Sequence, residues 1–404
     1  MTPDDRWLEW RRFRSALAGR ELPCAVVDLD ALEANLATML ARVSPGLRLR
    51  IATKSVRVPA LLAHVARIGG ERIGGWLAYS SAEAELLVAE GLDDILVAYP
   101  VISRPEAERI ARLNAGGSRV VAMVDCAAHV DALADAATEV DAVVPVCIDI
   151  DVSLRPVPGL HLGVRRSPIR TASAARRLAG IIAEAPAVEL VGVMAYEAQV
   201  AGLPDQHSTP VHTRAVQWIK TRSVSLAARR RAEVVQALRS DGHTLTFVNG
   251  GGTGSLRTTS ADPSVTEIAA GSGLYAPHLF DGYTDLPLIP AAFFALQIVR
   301  QPDPRVVTCA GGGYIASGGA GPDRLPVVYA PDGLAPLAME GFGEVQTPLR
   351  WTGRGLPPTI GMPVICRHAK AGELMERFDR VLWLRGDHIV DETATYRGLG
   401  GCYL

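Results

Sequence analysis

From about residue 22 the chain alternates short apolar runs with stretches whose apolar residues recur every three or four positions. "CAVVDL" (24–29) reads as a strand, and the segment after it carries Leu29, Leu32, Leu36, Leu40 and Val43 on one helical face. "LRLRIATKSV" (47–56) is the next alternating run, followed by a helix opened by Pro59 with Leu62, Val65 and Ile68 on one side. "RIGGWLAYS" (72–80) leads into Ser80 and Glu83, spaced as a capping box, and Gly91 stops that helix. "DILVAYP" precedes a second such pair, Ser103 and Glu106. "RVVAMVD", "AVVPVCIDID", "VELVGVMAY" and "TLTFVNGG" continue the series. Repeated strand–helix units over about 250 residues predict an α/β fold, a closed parallel (β/α)8-type barrel, with an open doubly wound sheet as the alternative. There is one strand-like run more than eight, which a short terminal strand outside the barrel would explain; periodicity alone does not decide between the two folds.

Beyond residue 285 the texture changes. "FFALQIVRQ", "RVVTCAG", "LPVVYAPDG", "MPVICRH" and "RVLWLRGDHIV" are short apolar or alternating runs between Gly/Pro turns. They predict a C-terminal β-rich domain over 286–404, after a barrel over 22–285. Residues 1–21 have a helical pattern (Trp7, Trp10, Phe13, Leu17) and are expected to pack on the C-terminal domain or the barrel. Arg229, Arg230 and Arg231 fall in a long predicted helix and read as a solvated face.

Composition narrows the field. A hydrophobic fraction of 48% with 21% charged residues is that of a globular protein with ample core. The formal net charge of −2 offers no global attraction to nucleic acid or anionic membranes. No apolar run reaches the roughly 18 residues that span a bilayer. The first residues include early acids and no apolar stretch, against a secretory signal. Six scattered cysteines without a C-x-x-C read as free thiols of a reducing cytosol, so a cytoplasmic protein is expected.

Lysine is scarce. Of 41 Lys+Arg residues only Lys54, Lys220 and Lys370 are lysine, so ordinary surface charge here is guanidinium. A lysine then invites a reason that arginine cannot satisfy, such as an amine able to lose its proton and form an imine. Lys54 stands at the end of a strand, where parallel barrels carry their functional groups. Lys220, in the Arg-rich helix, reads as solvated and without a role. "FVNGGGTGS" (247–255) and "EIAAGSGLY" (267–275) are strands running into glycine-rich turns, suited to cradling a phosphate. Neither is a Walker A loop nor a dinucleotide fingerprint. One reactive lysine plus a phosphate cradle is what pyridoxal 5′-phosphate (PLP) requires.

The chain resembles the alanine-racemase-like (fold type III) PLP enzymes, and within them the D-threonine aldolase/D-serine dehydratase branch. The resemblance runs through "LPCAVVDLDALEANL", "RIATKS", "DDILVAYPV", "IDIDVSLR", "GVMAYEAQ", "NGGGTGS", "EIAAGSG" and "RHAKAGEL". It implies that Lys54 carries the cofactor as a Schiff base and that Gly251, Gly252, Thr253, Gly271 and Ser272 hold its phosphate. Tyr196 would contact the cofactor, and Arg155 or Arg165 would lie near the pyridine nitrogen, making the ring a weaker electron sink. The resemblance further implies a homodimer with active sites at its interface.

The sequence departs from the family at its divalent metal site. The family's His-x-Cys or His-x-Asp pair appears as His368-Ala369-Lys370, and its upstream acidic segment as Glu344 and Gln346. An ammonium ligates no metal. His368 and Lys370 are therefore candidate catalytic residues, with His368 the remaining metal ligand and the Lys370 amine taking over part of the metal's work. The expected function is a PLP-dependent lyase on β-hydroxy-α-amino acids, of D configuration, with aldol-type C–C cleavage or formation. The alternatives are a D-serine dehydratase-like deaminase, an amino acid racemase with Tyr314 as a second acid/base, and a non-catalytic PLP carrier.

Overall fold

Alternation along each barrel strand separates a lining face from a helix-covered face. In the computed structural model, which describes residues 2–206, 209–319 and 321–403, eight parallel strands close into a barrel. They are β2 (Arg48–Ala52), β3 (Ile73–Ala78), β4 (Ile95–Val97), β5 (Val120–Val124), β6 (Val144–Asp149), β7 (Val188–Ala195), β8 (Phe247–Gly250) and β9 (Glu267–Ala270). In β2, Leu49 and Ile51 enter the core beneath the helices, while Ala52 joins Leu77, Leu96, Met123, Cys147 and Phe247 inside the barrel.

The barrel interior also holds a buried charge. Arg50, 2% exposed, pairs with Glu267 through two bonds of 2.7 and 3.0 Å and donates to the Asp94 carbonyl at 2.7 Å. Asn249 donates to the same Glu267 carboxylate at 2.8 Å. These contacts tie strands β2, β8 and β9 to the loop before β4.

The strand-like run at 24–29 is β1 (Cys24–Asp28), and it lies outside the barrel. It pairs antiparallel with β10 (Ala292–Asp303) and parallel with β16 (Arg380–Arg385). The remaining strands of that sheet are β11 (Val306–Ala310), β12 (Val327–Ala330), β13 (Leu334–Pro336), β14 (Gln346–Trp351), β15 (Pro363–Arg367) and β17 (His388–Ala394). A barrel beginning at residue 22 is thus corrected: its first strand starts at Arg48, and the β-rich sheet takes strands from both ends of the chain. The helix Pro3–Ala16 packs on this sheet, with Phe13 edge-on to Phe293 and Trp10 donating to the Pro363 carbonyl at 2.8 Å.

Local signals fared unevenly. Ser80 caps its helix by accepting from the Glu83 amide at 3.2 Å. At Ser103 the hydroxyl instead donates to the Glu106 carboxylate at 2.6 Å and caps no amide. The expected solvated face at 229–231 is also corrected. Only Arg229 points to water; Arg230 donates to the Asp151 carbonyl, and Arg231 is 1% exposed. Lys220 is likewise not a free surface charge, because it pairs with Asp205 and lies over the Tyr283 ring.

Replacing Arg50 with leucine strands the Glu267 charge inside the barrel. The expected loss of stability is about 3–5 kcal/mol, measured by urea unfolding against the wild-type protein. A loss below about 1 kcal/mol would show that water reaches Glu267.

Candidate active site

All eight barrel strands point the same way, so their C-terminal ends ring one mouth. A cavity of about 640 Å³ opens there, lined among others by Lys54, Tyr99, Arg166, Tyr196, Gly252 and Lys370. Lys54 sits just past β2 in the short turn Thr53–Ser55, which Thr53 fastens by donating to the Leu77 carbonyl at 2.9 Å. The second domain clamps the same turn. Arg57, at φ 57°, donates to the Lys54 carbonyl at 3.1 Å and pairs with Glu376 at 2.7 Å. Gly372 lies so close that a Cβ on it would stand 1.8 Å from the Lys54 oxygen, and its φ of 74° also favours glycine.

The Lys54 amine donates to the Tyr99 hydroxyl at 2.9 Å. The Arg166 guanidinium lies over both the Tyr99 and Tyr196 rings, its carbon 5.6 Å from each centroid. Burial pushes a phenol up, yet the charges of Lys54, Arg166 and Lys370 outweigh it and hold the Tyr99 hydroxyl below its ordinary value. At Tyr196 burial wins over Arg166, and that phenol is raised.

The turns after β8 and β9 form the adjoining wall, β9 being the barrel neighbour of β2. Gly251, Gly252, Thr253, Gly271 and Ser272 all line the cavity, with the Ser55 and Ser272 hydroxyls 3.2 Å apart. A Cβ on Gly252 would lie 2.7 Å from the Ala201 methyl and 3.3 Å from the Tyr196 ring, and one on Gly271 would lie 2.5 Å from the Ala52 oxygen. A buried network supports the first turn from behind. Glu197 accepts from the Gly251 amide at 3.3 Å, from Ser255 at 3.2 Å and from Thr259. Arg231 pairs with that carboxylate at 3.0 Å and with Asp262.

Several expected residues fall elsewhere. Arg155 pairs with Asp151 at 2.9 Å and, with Arg165, lines a separate surface cleft formed by residues 155–161 and 165. Their neighbour Arg166 takes the place in the cavity. His368 is 2% exposed, does not line the cavity, and has no hydrogen-bond partner on either ring nitrogen among the described residues. Burial and the neighbouring Arg367 charge lower its pKa to about 3. Glu344 and Gln346 are exposed and line neither this cavity nor its neighbour. Tyr314 packs edge-on against Phe294 and Phe378 of the same chain, 4.9 and 5.3 Å between centroids. Lys370 does reach the cavity, held by Ser317 Oγ at 2.8 Å and Glu373 at 2.9 Å.

Among the polar cavity residues, Tyr99 and Arg166 escaped the sequence reading. Tyr99 was within a quoted strand end, "DDILVAYPV", and its strand-end position was the available signal. Arg166 was one of a pair of arginines whose register the sequence did not set.

The family described as "Alanine racemase, N-terminal domain" matches residues 27–277. The chain belongs to it. Among relatives, a 3-hydroxy-D-aspartate aldolase from Paracoccus denitrificans (strain Pd 1222) is 28% identical over 254 residues, 62% of this chain and 59% of that protein. The D-threonine aldolase of Filomicrobium marinum superposes with a TM-score of 0.78 at 22% identity, covering 95% of this chain and 96% of that one. The D-threo-3-hydroxyaspartate dehydratase of Delftia sp. HT23 gives 0.71 at 21% identity, covering 94% and 98%. A mutant of D-threo-3-hydroxyaspartate dehydratase, solved in a metal-free form, superposes at 0.72.

Membership of the alanine racemase family implies PLP, and the cavity fits it. The Lys54 amine and two glycine turns line one space of suitable size, with the Ser55 and Ser272 hydroxyls at the cradle. Lys54 would attach the cofactor, and the turns at 251–253 and 271–272 would hold its phosphate. A divalent metal at 368–370 fits poorly. The ammonium of Lys370 ligates nothing, and among the described residues His368 belongs to no group of three potential ligands. Among the described residues, the three-donor group is Asp125, Cys126 and His129, and of these only Asp125 borders even the adjoining smaller cavity.

Gly252→Ala tests the cradle. The added methyl collides with Ala201 and shifts the turn, so PLP is expected to bind about ten-fold more weakly, roughly 1.4 kcal/mol, with unchanged circular dichroism. Unchanged affinity in a fluorescence titration contradicts the placement.

Proposed function

We propose that this protein is a PLP-dependent lyase that cleaves or forms the Cα–Cβ bond of β-hydroxy-α-amino acids of D configuration. The observation that carries the reading is the Lys54 amine, hydrogen-bonded to Tyr99 and lining one cavity with the two glycine turns. When bound, PLP withdraws into its ring the electron pair that the breaking bond leaves on Cα. The chain's own groups do the rest. Lys54 exchanges its place with the substrate amine, and the glycine turns fix the orientation by which one Cα bond lies in line for cleavage. Arg166 offers a guanidinium to an anionic group beside Tyr99 and Tyr196.

The names of the relatives support both aldol cleavage and dehydration, and dehydration is the second reading. Hydroxide is a poor leaving group without a metal at the β-oxygen, and residues 368–370 offer no such metal site; C–C cleavage is favoured. A racemase needs a second acid/base at Cα, and Tyr314, half-buried against Phe294 and Phe378, does not line this cavity. A bare cofactor carrier leaves Lys370, Asp323 and Arg324, brought to the cavity by the second domain, without a purpose. A homodimer completes the proposal as the commonest closed assembly.

Purified protein loaded with PLP and given D- and L-β-hydroxy amino acids is expected to yield glycine and an aldehyde from the D series. Lys54→Ala is expected to lower turnover by about four orders of magnitude or more. Keto acid with ammonia as the sole products establishes the dehydratase, and cofactor binding without any turnover overturns the lyase reading.

A further inference from the structure

The question left open by the lyase reading, on which this inference rests, is what handles the substrate's β-hydroxyl. The wall that carries Lys370 is tightly built. Its ammonium contacts Ser317 Oγ and Glu373, while Glu373 also accepts from the Ser317 amide at 2.7 Å and from its hydroxyl at 2.6 Å. Two of the three N–H groups are thereby engaged and one remains for a ligand. Gly372, pressed onto the Lys54 carbonyl, seats the loop bearing Lys370 on the turn bearing Lys54. Tyr99, bonded to Lys54 and overlain by Arg166, lines the same cavity.

We propose that the β-hydroxyl is handled without a metal: Tyr99, as phenolate, accepts its proton, and the Lys370 ammonium holds the oxygen. The charges of Arg166 and Lys370, joined by that of Lys54 once it has given up its place to the substrate amine and taken that amine's proton, favour the anionic phenol over its burial. The proton and electron balance closes within these residues. The hydroxyl proton passes to the Tyr99 oxygen, the O–H pair becomes the second bond of the aldehyde, and the Cα–Cβ pair goes to Cα. The Lys54 ammonium then protonates Cα, leaving glycine. Tyr99 returns its proton to the Lys54 amine across their 2.9 Å contact, and the site is reset.

The test uses the PLP-loaded enzyme. After exhaustive chelation, with metal content verified by plasma mass spectrometry, turnover is expected to stay at the untreated rate. Tyr99→Phe is expected to lower kcat about 100-fold or more and to remove the acidic limb of its pH profile, with cofactor absorbance retained. Lys370→Met is expected to lower kcat about 10- to 1,000-fold, with partial rescue by Lys370→Arg. Loss of turnover on chelation with recovery on adding manganese overturns the proposal. So does a Tyr99→Phe enzyme with an unaltered pH profile, or a Lys370→Met enzyme of undiminished kcat. Wild-type enzyme that cleaves its substrate only with metal sinks this inference alone; wild-type enzyme that binds PLP and cleaves none, with or without metal, sinks the lyase reading with it.

Discussion

Parallel closure is the constraint on which everything else depends. Eight strands running one way deliver their C-terminal ends to a single rim, whatever their separation along the chain. Ser55 and Ser272, 217 positions apart, thereby bring their hydroxyls within 3.2 Å. The same closure places Arg50 against Glu267 inside the barrel, so the pair that fixes the β2–β9 seam also sets the distance between the lysine turn and the second glycine turn. Catalytic geometry and barrel register are one structural fact.

The second domain is not an appendage to this site. The Lys54 turn is held from above by Glu376 through Arg57 and by the backbone at Gly372, both from the C-terminal part of the chain. Lys370, Asp323 and Arg324 enter the cavity from the same side. Cations predominate around the cavity, which suits a doubly charged phosphate and an amino acid carboxylate sharing one small space. The interleaving begins at the N-terminus, where β1 joins the second sheet before the chain enters the barrel at β2.

Much of this was legible in the sequence because its signals are local. Strand alternation, the strand-end position of Lys54 and the paired glycine turns need no knowledge of distant partners. The misreadings share a cause. Arg231 looked like part of a surface run because its partners, Glu197 and Asp262, lie 34 and 31 positions away. The strand at 24–28 carries the same apolar pattern as a barrel strand, and only its pairing with β10 and β16 assigns it to the other sheet. Arg155 and Arg165 were the named candidates while Arg166 lines the cavity, because the intervening segment's conformation decides which guanidinium reaches the rim. His368 kept its place in a motif while its ring turned into the core, a difference of side-chain environment that no spacing records.

The central claim is that Lys54 bears the cofactor. Borohydride reduction of the PLP-loaded protein, followed by proteolysis and peptide mass spectrometry, tests it directly. The account predicts a pyridoxyl phosphate adduct on the peptide containing Lys54. An adduct confined to Lys220 or Lys370, or none at all, contradicts it.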